Sequence, residues 1–135
     1  MFTIAILSIL ISIQRANTAI DSYLDASWTT GVASAYGGSS DSASVDNQIT
    51  YTEERIHGDS MGVAIPMSWD RSLIGKHVQI RYQDQIVNSC INDIGYLGGG
   101  SRDLDLQPGI FHQFGYDTCD EWGIRTVEYR IIDRR

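Results

Sequence analysis

The sequence predicts an all-β domain with one short helix, folded as a closed β-barrel. Several short segments are apolar or alternate apolar and polar side chains, as strands with a buried face do. Stretches rich in Gly, Ser and Asp, such as residues 37–47, separate some of them and are typical of exposed loops. Many short strands with a single helix favour a closed barrel over a sheet layered with helices.

Five segments have the pattern of strands. Residues 77–82 and 86–93 alternate with period two, and the polar residues between them form a tight turn. The predicted strands are 31–36, 62–66, 77–82, 86–93 and 123–132.

One segment has the pattern of a helix. Pro108 suits a first helical position, Ile110, Phe111 and Phe114 form an apolar face, and Gly115 ends the segment. We therefore expect one short helix over residues 108–115, packed on the core.

The composition describes one globular domain and excludes a class of partner. The chain has 135 residues, of which 42% are hydrophobic, which suffices for a single core. The net charge of −7 and the single lysine, Lys76, leave no basic patch for a phosphate backbone. We expect no nucleic-acid partner and a monomeric domain.

The first residues have the pattern of an export signal. Residues 2–13 are largely apolar, which is too short for a stable membrane anchor but long enough for a signal-peptide core. The sequence predicts a signal peptide over 1–19, a leader over 20–30 and the barrel domain over 31–134. A secreted, periplasmic or cell-envelope protein would follow. The alternative is that residues 2–13 form a buried first strand.

Export affects the interpretation of the two cysteines. In an oxidising compartment Cys90 and Cys119 are expected to form a disulfide, whereas in the cytosol they would be free thiols. Cys90 has the opposite parity to Ile91 on its strand, so it is expected to face outward toward Cys119. The histidines show no ligand spacing, so no metal site is expected.

Residues 91–106 contain the densest group of chemically useful side chains. Asp93 ends a strand, and a glycine-rich loop separates it from Arg102, Asp103 and Asp105. Paired carboxylates suit glycoside cleavage, because one can be kept protonated as a general acid. The alternative is a structural network in which Asp93 and Asp105 accept hydrogen bonds from backbone amides of the glycine loop and pair with Arg102.

The order of these motifs resembles the double-psi β-barrel, and in particular the rare lipoprotein A family of septal lytic transglycosylases. Expansins and family 45 endoglucanases are similar at greater distance. The resemblance covers about residues 31–132. The motifs that carry it are Gly31 to Gly37, Ala64-Ile65-Pro66, Leu73 to Val78, Asn92-Asp93-Ile94-Gly95, Arg102 to Leu106, Pro108 to Gly115 and Gly123 to Val127.

The resemblance implies a barrel of about six strands whose groove binds an extended polysaccharide, peptidoglycan or another cell-wall glycan. It implies that Asp105 is the general acid and that Asp93 assists it. The substrate's own hydroxyl would close an anhydro ring, so no cofactor is expected. The sequence departs from the family pattern at four points. Ile94 stands where an arginine is usual, and Gln107 where a serine is usual. The family's histidine is missing from the stretch 63–65, and the acidic residue of the loop after the first strand has no clear match.

Five further residues are candidates for substrate binding. Tyr36 and Tyr96 could stack on sugar rings, and polar side chains could bind hydroxyl or charged groups. The polar candidates are Asn92, Arg102 and Asp103. Two alternatives to an enzyme remain open: a non-catalytic glycan-binding module of the expansin type, and a structural surface protein.

Overall fold

The computed structural model describes residues 27–41 and 48–132. The predicted signal peptide, and residues 20–26 of the predicted leader, lie outside the described residues. Among those that are described, no helix is long and apolar enough to cross a membrane.

Strands dominate the described chain and close into a barrel. They are β1 (Thr29–Ala35), β2 (Gly62–Pro66), β3 (His77–Tyr82), β4 (Gln85–Gly95), β5 (Leu104–Leu106) and β6 (Arg125–Ile132). Their order around the barrel is β1-β5-β2-β4-β3-β6. β3 and β4 are an antiparallel hairpin, whereas the pairs β1–β5 and β2–β4 are parallel. The predicted all-β class is confirmed.

The bounds of the strands follow the predicted segments closely. β2 and β3 have the predicted ends, and β1, β4 and β6 differ from the prediction by two residues or fewer at each end. β5 was not predicted as a strand, because three residues are too few to show an alternating pattern.

The helical content is larger than the single helix that the sequence predicts. The helical segments are α1 (Leu97–Gly100), α2 (Pro108–Gln113), α3 (Cys119–Trp122) and a 3₁₀ turn, Arg71–Leu73. Only α2 was expected, and Pro108 is its first residue as predicted. The other segments have three or four residues, which is too short to repeat an apolar face.

The barrel is filled by the apolar side chains that alternate along its strands. Each of the following is at most 2% exposed: Val63, Ile65, Val78, Ile80, Val87, Ile91, Leu104 and Leu106. Trp122 of α3 adds to this core, and its Nε1 donates to the Ala33 carbonyl oxygen at 3.1 Å. The ring centroids of Tyr82, Phe114 and Tyr116 lie 5.1–5.6 Å from that of Trp122.

A β-bulge between β2 and β4 decides where Asp93 points. Val63 pairs with Ile91 and Ala64 pairs with Asp93, so Asn92 is an extra residue on β4. An extra residue reverses the side on which the following side chains lie. In a regular strand Asp93 would lie on the same face as Ile91, which lines the core. The bulge instead places Asp93 on the outer face beside Ala64.

Candidate functional site

Four neighbouring strands place Asp93, Ala64, Asp105 and Ser34 in one row. Ala64 of β2 pairs with Asp93 of β4 and with Asp105 of β5, and Asp105 pairs with Ser34 of β1. Residues paired in this way project from the same face of a sheet. Since adjacent strands are about 4.8 Å apart, the backbones of the two aspartates are about 10 Å apart. Both side chains can therefore reach one bound ligand.

Asp105 is a largely buried carboxyl group at the centre of this row. Its Oδ1 accepts a hydrogen bond from Ser34 Oγ at 3.0 Å. Burial raises the pKa of Asp105 to about 6, and the negative charges of Asp41 and Asp93 add to this rise. The Ser34 hydrogen bond and the charge of Arg102 lower it in part. Asp105 thus retains a proton at pH values where an ordinary aspartate has lost it.

Asp93 is surrounded by hydrogen-bond donors. Its Oδ2 accepts from the Tyr36 hydroxyl at 2.7 Å, and its Oδ1 accepts from the backbone N–H groups of Tyr51 at 2.8 Å and Ile94 at 2.9 Å. An ionised carboxylate, which only accepts, fits three donors. Asp93 therefore does accept hydrogen bonds from backbone amides, but these amides belong to Tyr51 and Ile94 and not to the glycine loop.

Tyr36 connects Asp93 to a buried amide. The Tyr36 hydroxyl accepts a hydrogen bond from Gln107 Nε2 at 2.9 Å, and the same nitrogen donates to Asn92 Oδ1 at 2.8 Å. Burial, followed by the charge of Asp93, raises the pKa of Tyr36 far above its ordinary value, so this hydroxyl stays protonated. Tyr36 thus serves the site through Asp93.

Two pockets meet at Asp105 and Arg102. One has a volume of about 310 Å³ and includes Tyr36, Asp93 and Tyr96 in its lining. The other has a volume of about 320 Å³ and extends past Ser34 toward α3. Both are lined by Asp105 and Arg102, and we call the two neighbouring pockets together the Asp105 groove.

Arg102 lies in the groove without a carboxylate partner from the row. It makes no ion pair with Asp93 or Asp105 in the described part of the chain. Its Nε atom is buried and lacks a hydrogen-bond partner among the described residues. The alternative network, in which Arg102 pairs with the aspartates, is therefore not formed.

The glycine-rich loop forms a tight turn, α1, which directly follows Tyr96. Leu97 and the three glycines of α1 all have positive φ, between 47° and 93°. Glycine tolerates this conformation because it lacks a Cβ atom. Tyr96 precedes the turn and is 70% exposed at the edge of the Asp105 groove. It has the exposure that stacking on a ligand requires.

Two other candidates lie away from the groove. Asp103 accepts a hydrogen bond from the Tyr129 hydroxyl at 3.1 Å, and neither half of the Asp105 groove includes it in its lining. Asn92 is 7% exposed and lines a separate pocket of about 410 Å³, together with Gln107 and Cys90. The structure therefore does not bring these two side chains to the site of Asp105.

The predicted disulfide is not formed. Cys90 and Cys119 are free thiols. The Cys119 thiol is buried and donates to the Gly37 carbonyl oxygen at 3.6 Å, whereas Cys90 lines the pocket beside Asn92. Cys90 does leave the core face as expected, but α3 places Cys119 beside Gly37, in the lining of the Asp105 groove.

The sequence analysis missed several residues of the site. Ser34 and Ala64 lie in motifs that carry the family resemblance, but no role was predicted for them, because their role depends on which strands become neighbours. Gln107 carried a weak signal, as a departure from the pattern of the resembling family. In the described residues, no group of three or more His, Cys, Asp or Glu side chains could hold a metal ion.

Comparisons with known proteins support the fold. No family model matches the chain, and no curated protein matches it. Among solved structures, a Streptomyces papain inhibitor superposes with a TM-score of 0.55 and 19% identity, over 78% of this chain and 94% of the inhibitor. At this identity the likeness concerns the barrel alone. The described chain is a six-stranded barrel like that inhibitor, and its relation to the rare lipoprotein A family stays a prediction.

Proposed function

We propose that this protein is exported and cleaves a cell-wall polysaccharide, with peptidoglycan as substrate, by the lytic transglycosylase reaction. The carrying observation is that Asp105, a largely buried carboxyl group with a pKa of about 6, lines an open groove. A general acid needs both a retained proton and access to the substrate. The apolar segment 2–13 supports the proposal of export.

In the proposed reaction Asp105 donates its proton to the oxygen of the glycosidic bond, and the bond from that oxygen to the anomeric carbon breaks. The carboxylate of Asp93 stabilises the positive charge that develops on the sugar ring. A hydroxyl group of the same sugar attacks the anomeric carbon and closes an anhydro ring. The proton of that hydroxyl passes to Asp105, which restores the acid, and the proposal includes no cofactor.

The shape of the Asp105 groove supports an extended substrate. Its two halves lie on either side of Asp105, so sugar units can occupy both sides of the bond that is cleaved. The exposed ring of Tyr96 offers an apolar face to a sugar in one half. The guanidinium group of Arg102, which lines both halves, is the proposed donor to a substrate hydroxyl group.

A digest of purified peptidoglycan tests the proposal. Intact and peptide-stripped peptidoglycan are incubated with the protein from about pH 5 to about pH 8, and product masses are measured. We expect products with anhydro-sugar ends, and we expect Asp105→Asn to abolish them. Asp84→Asn is the matched control, because it makes the same change in the exposed β3–β4 turn.

The other outcomes of the digest are informative. Products that persist in Asp105→Asn would contradict the assigned acid. Binding to peptidoglycan without products at any pH would contradict catalysis and favour a non-catalytic glycan-binding module. Neither binding nor products would favour a structural surface protein.

A second candidate function is binding to a protein, which one observation favours. Large apolar side chains are exposed around Asp93: Tyr51 is 59%, Met67 53% and Tyr96 70% exposed. The backbones of Tyr51 and Met67 bond to Asp93 and Gly95, which places both near the groove. Exposed apolar groups of this kind occur where proteins bind one another. Because the similar barrel is named a papain inhibitor, an assay of papain with a peptide substrate tests this candidate.

The papain assay has a matched variant. Met67→Asp places a charge in the exposed apolar group, and Ile86→Asp makes a similar change on the exposed part of β4. Inhibition that Met67→Asp abolishes and Ile86→Asp preserves would support protein binding through this surface. The absence of inhibition by the unchanged protein would exclude papain as a partner.

A further inference from the structure

Gln107 is a buried residue that contacts both Tyr36 and β2, the strand that carries Ala64. It directly follows β5, is 1% exposed, and its backbone N–H donates to the Gly62 carbonyl oxygen at 3.1 Å. Its side chain makes three more hydrogen bonds. Oε1 accepts from Gly62 N–H at 3.1 Å, and Nε2 donates to the Tyr36 hydroxyl at 2.9 Å and to Asn92 Oδ1 at 2.8 Å.

The hydrogen-bond partners fix the orientation of this side-chain amide. The Gly62 N–H group can only donate, so it requires the oxygen of the Gln107 amide on its side. The nitrogen must then face Tyr36 and Asn92, and its two protons are both used. Asn92 Oδ1 cannot donate, which is consistent with the same orientation.

This orientation determines the direction of the Tyr36 hydroxyl proton. The Tyr36 oxygen receives a proton from Gln107, so its own proton cannot point toward that amide. The remaining acceptor is Asp93 Oδ2, at 2.7 Å. Each bond in this chain therefore has a single direction, from Gln107 to Tyr36 and from Tyr36 to Asp93.

We infer that Gln107 is a positioning residue, which directs the Tyr36 proton to Asp93 and thereby holds the Asp93 carboxylate beside Asp105. Gln107 is not part of the lining of the Asp105 groove, so it acts through Tyr36 and not on the substrate. The direction of the Tyr36 proton follows from the hydrogen bonds alone. The consequence for cleavage rests on the proposed function.

A double-mutant cycle tests whether Gln107 acts through Tyr36. We expect Gln107→Met and Tyr36→Phe each to lower kcat about tenfold, the effect of losing one hydrogen bond to a charged group. If Gln107 acts through Tyr36, the double variant also loses about tenfold. Independent effects would multiply to about a hundredfold loss, and that result would overturn the inference. KM is expected to change little, because Tyr36 is only 7% exposed and Tyr36→Phe keeps its ring, while the proposed substrate contacts of Tyr96 and Arg102 are unchanged.

A spectroscopic measurement tests the inference without any cleavage assay. A buried hydroxyl proton that bonds to a carboxylate exchanges slowly, so the Tyr36 hydroxyl should give its own proton NMR signal. Tyr36→Phe identifies the signal by its loss. We expect Gln107→Met to shift or abolish it, and an unchanged signal would overturn the inference. If the signal behaves as expected in a protein that cleaves no glycan, the proposed function fails and the inference stands.

Two controls separate positioning from a general loss of folding. Gln83→Met makes the same change in the exposed turn between β3 and β4, and it should leave kcat and the Tyr36 signal unchanged. Urea unfolding of each variant measures the folded fraction. Should Gln107→Met fail to fold, Gln107→Glu keeps the size of the side chain but replaces the donor with an acceptor. A Tyr36 signal at its original position in folded Gln107→Glu would overturn the inference.

Discussion

Asp93 and Asp105 both pair with Ala64, which lies on the strand between them. A small side chain at this point leaves open the space between the two carboxyl groups, and all three residues line the same half of the Asp105 groove. The aspartates have unlike surroundings, since Asp93 accepts three hydrogen bonds and Asp105 is buried with one. This difference supports the proposed role of Asp105 as the proton donor.

The pKa of Asp105 predicts how cleavage depends on pH. With a pKa of about 6, Asp105 is the acid below that pH and loses its proton above it. We expect the rate to be highest below about pH 6 and to fall about tenfold per pH unit above it. Rates of anhydro-product release measured across this range check the prediction. A rate that rises steadily from pH 6 to pH 8 would contradict the assignment of Asp105 as the acid.

The same pKa predicts how stability depends on pH. The folded pKa of Asp105, about 6, exceeds its ordinary value of 3.8, so folding disfavours the ionised carboxylate. This cost is absent below pH 3.8 and complete above about pH 6, where it amounts to at most about 3 kcal/mol. We expect Asp105→Asn to raise the free energy of unfolding at pH 8 by about 1–3 kcal/mol.

Urea unfolding at about pH 4, 6 and 8 measures this difference. It should shrink as the pH falls, because the wild-type carboxyl group becomes protonated in both states. Asp84→Asn, in the exposed turn, should show no such trend. A difference that does not vary with pH would contradict the prediction.

The exposed ring of Tyr96 is predicted to bind glycan without stabilising the fold. Because the side chain is 70% exposed, Tyr96→Ala should change the free energy of unfolding by less than about 0.5 kcal/mol. Loss of a stacking contact should weaken binding of a soluble glycan strand about three- to tenfold. Calorimetry with Tyr96→Ala and Tyr96→Trp measures both effects, and Tyr96→Trp should retain binding. Equal binding by all three proteins would rule out a stacking role.

The two cysteines are predicted to be free thiols of low reactivity. Burial raises the pKa of both Cys90 and Cys119, so both should react slowly near neutral pH. Alkylation of the unfolded protein without a reductant should add two groups, as measured by mass spectrometry. In the folded protein Cys90, which is less buried, should react before Cys119. A mass that stays unchanged until a reductant is added would instead demonstrate a disulfide.

Local patterns in the sequence were sufficient for much of the fold and for part of the site. A short apolar run located β2 and alternation located β3, both with their observed ends, and Pro108 marked the start of α2. The dense segment 91–106 contained both Asp93 and Asp105. These features depend on neighbouring residues in the chain, whose side-chain periodicity and turn chemistry are visible without tertiary contacts.

The roles of individual side chains depended on contacts between distant segments. Closure of the barrel made β2 the neighbour of both β4 and β5, which brought Asp93 and Asp105 to one row. The bulge at Asn92 turned Asp93 to the outer face. Asp103 accepts a hydrogen bond from the Tyr129 hydroxyl and lies outside the groove lining. Gln107 acquired its partners from three separate segments. Which strands become neighbours around the barrel depends on packing the whole domain, so no local pattern specifies these contacts between distant segments.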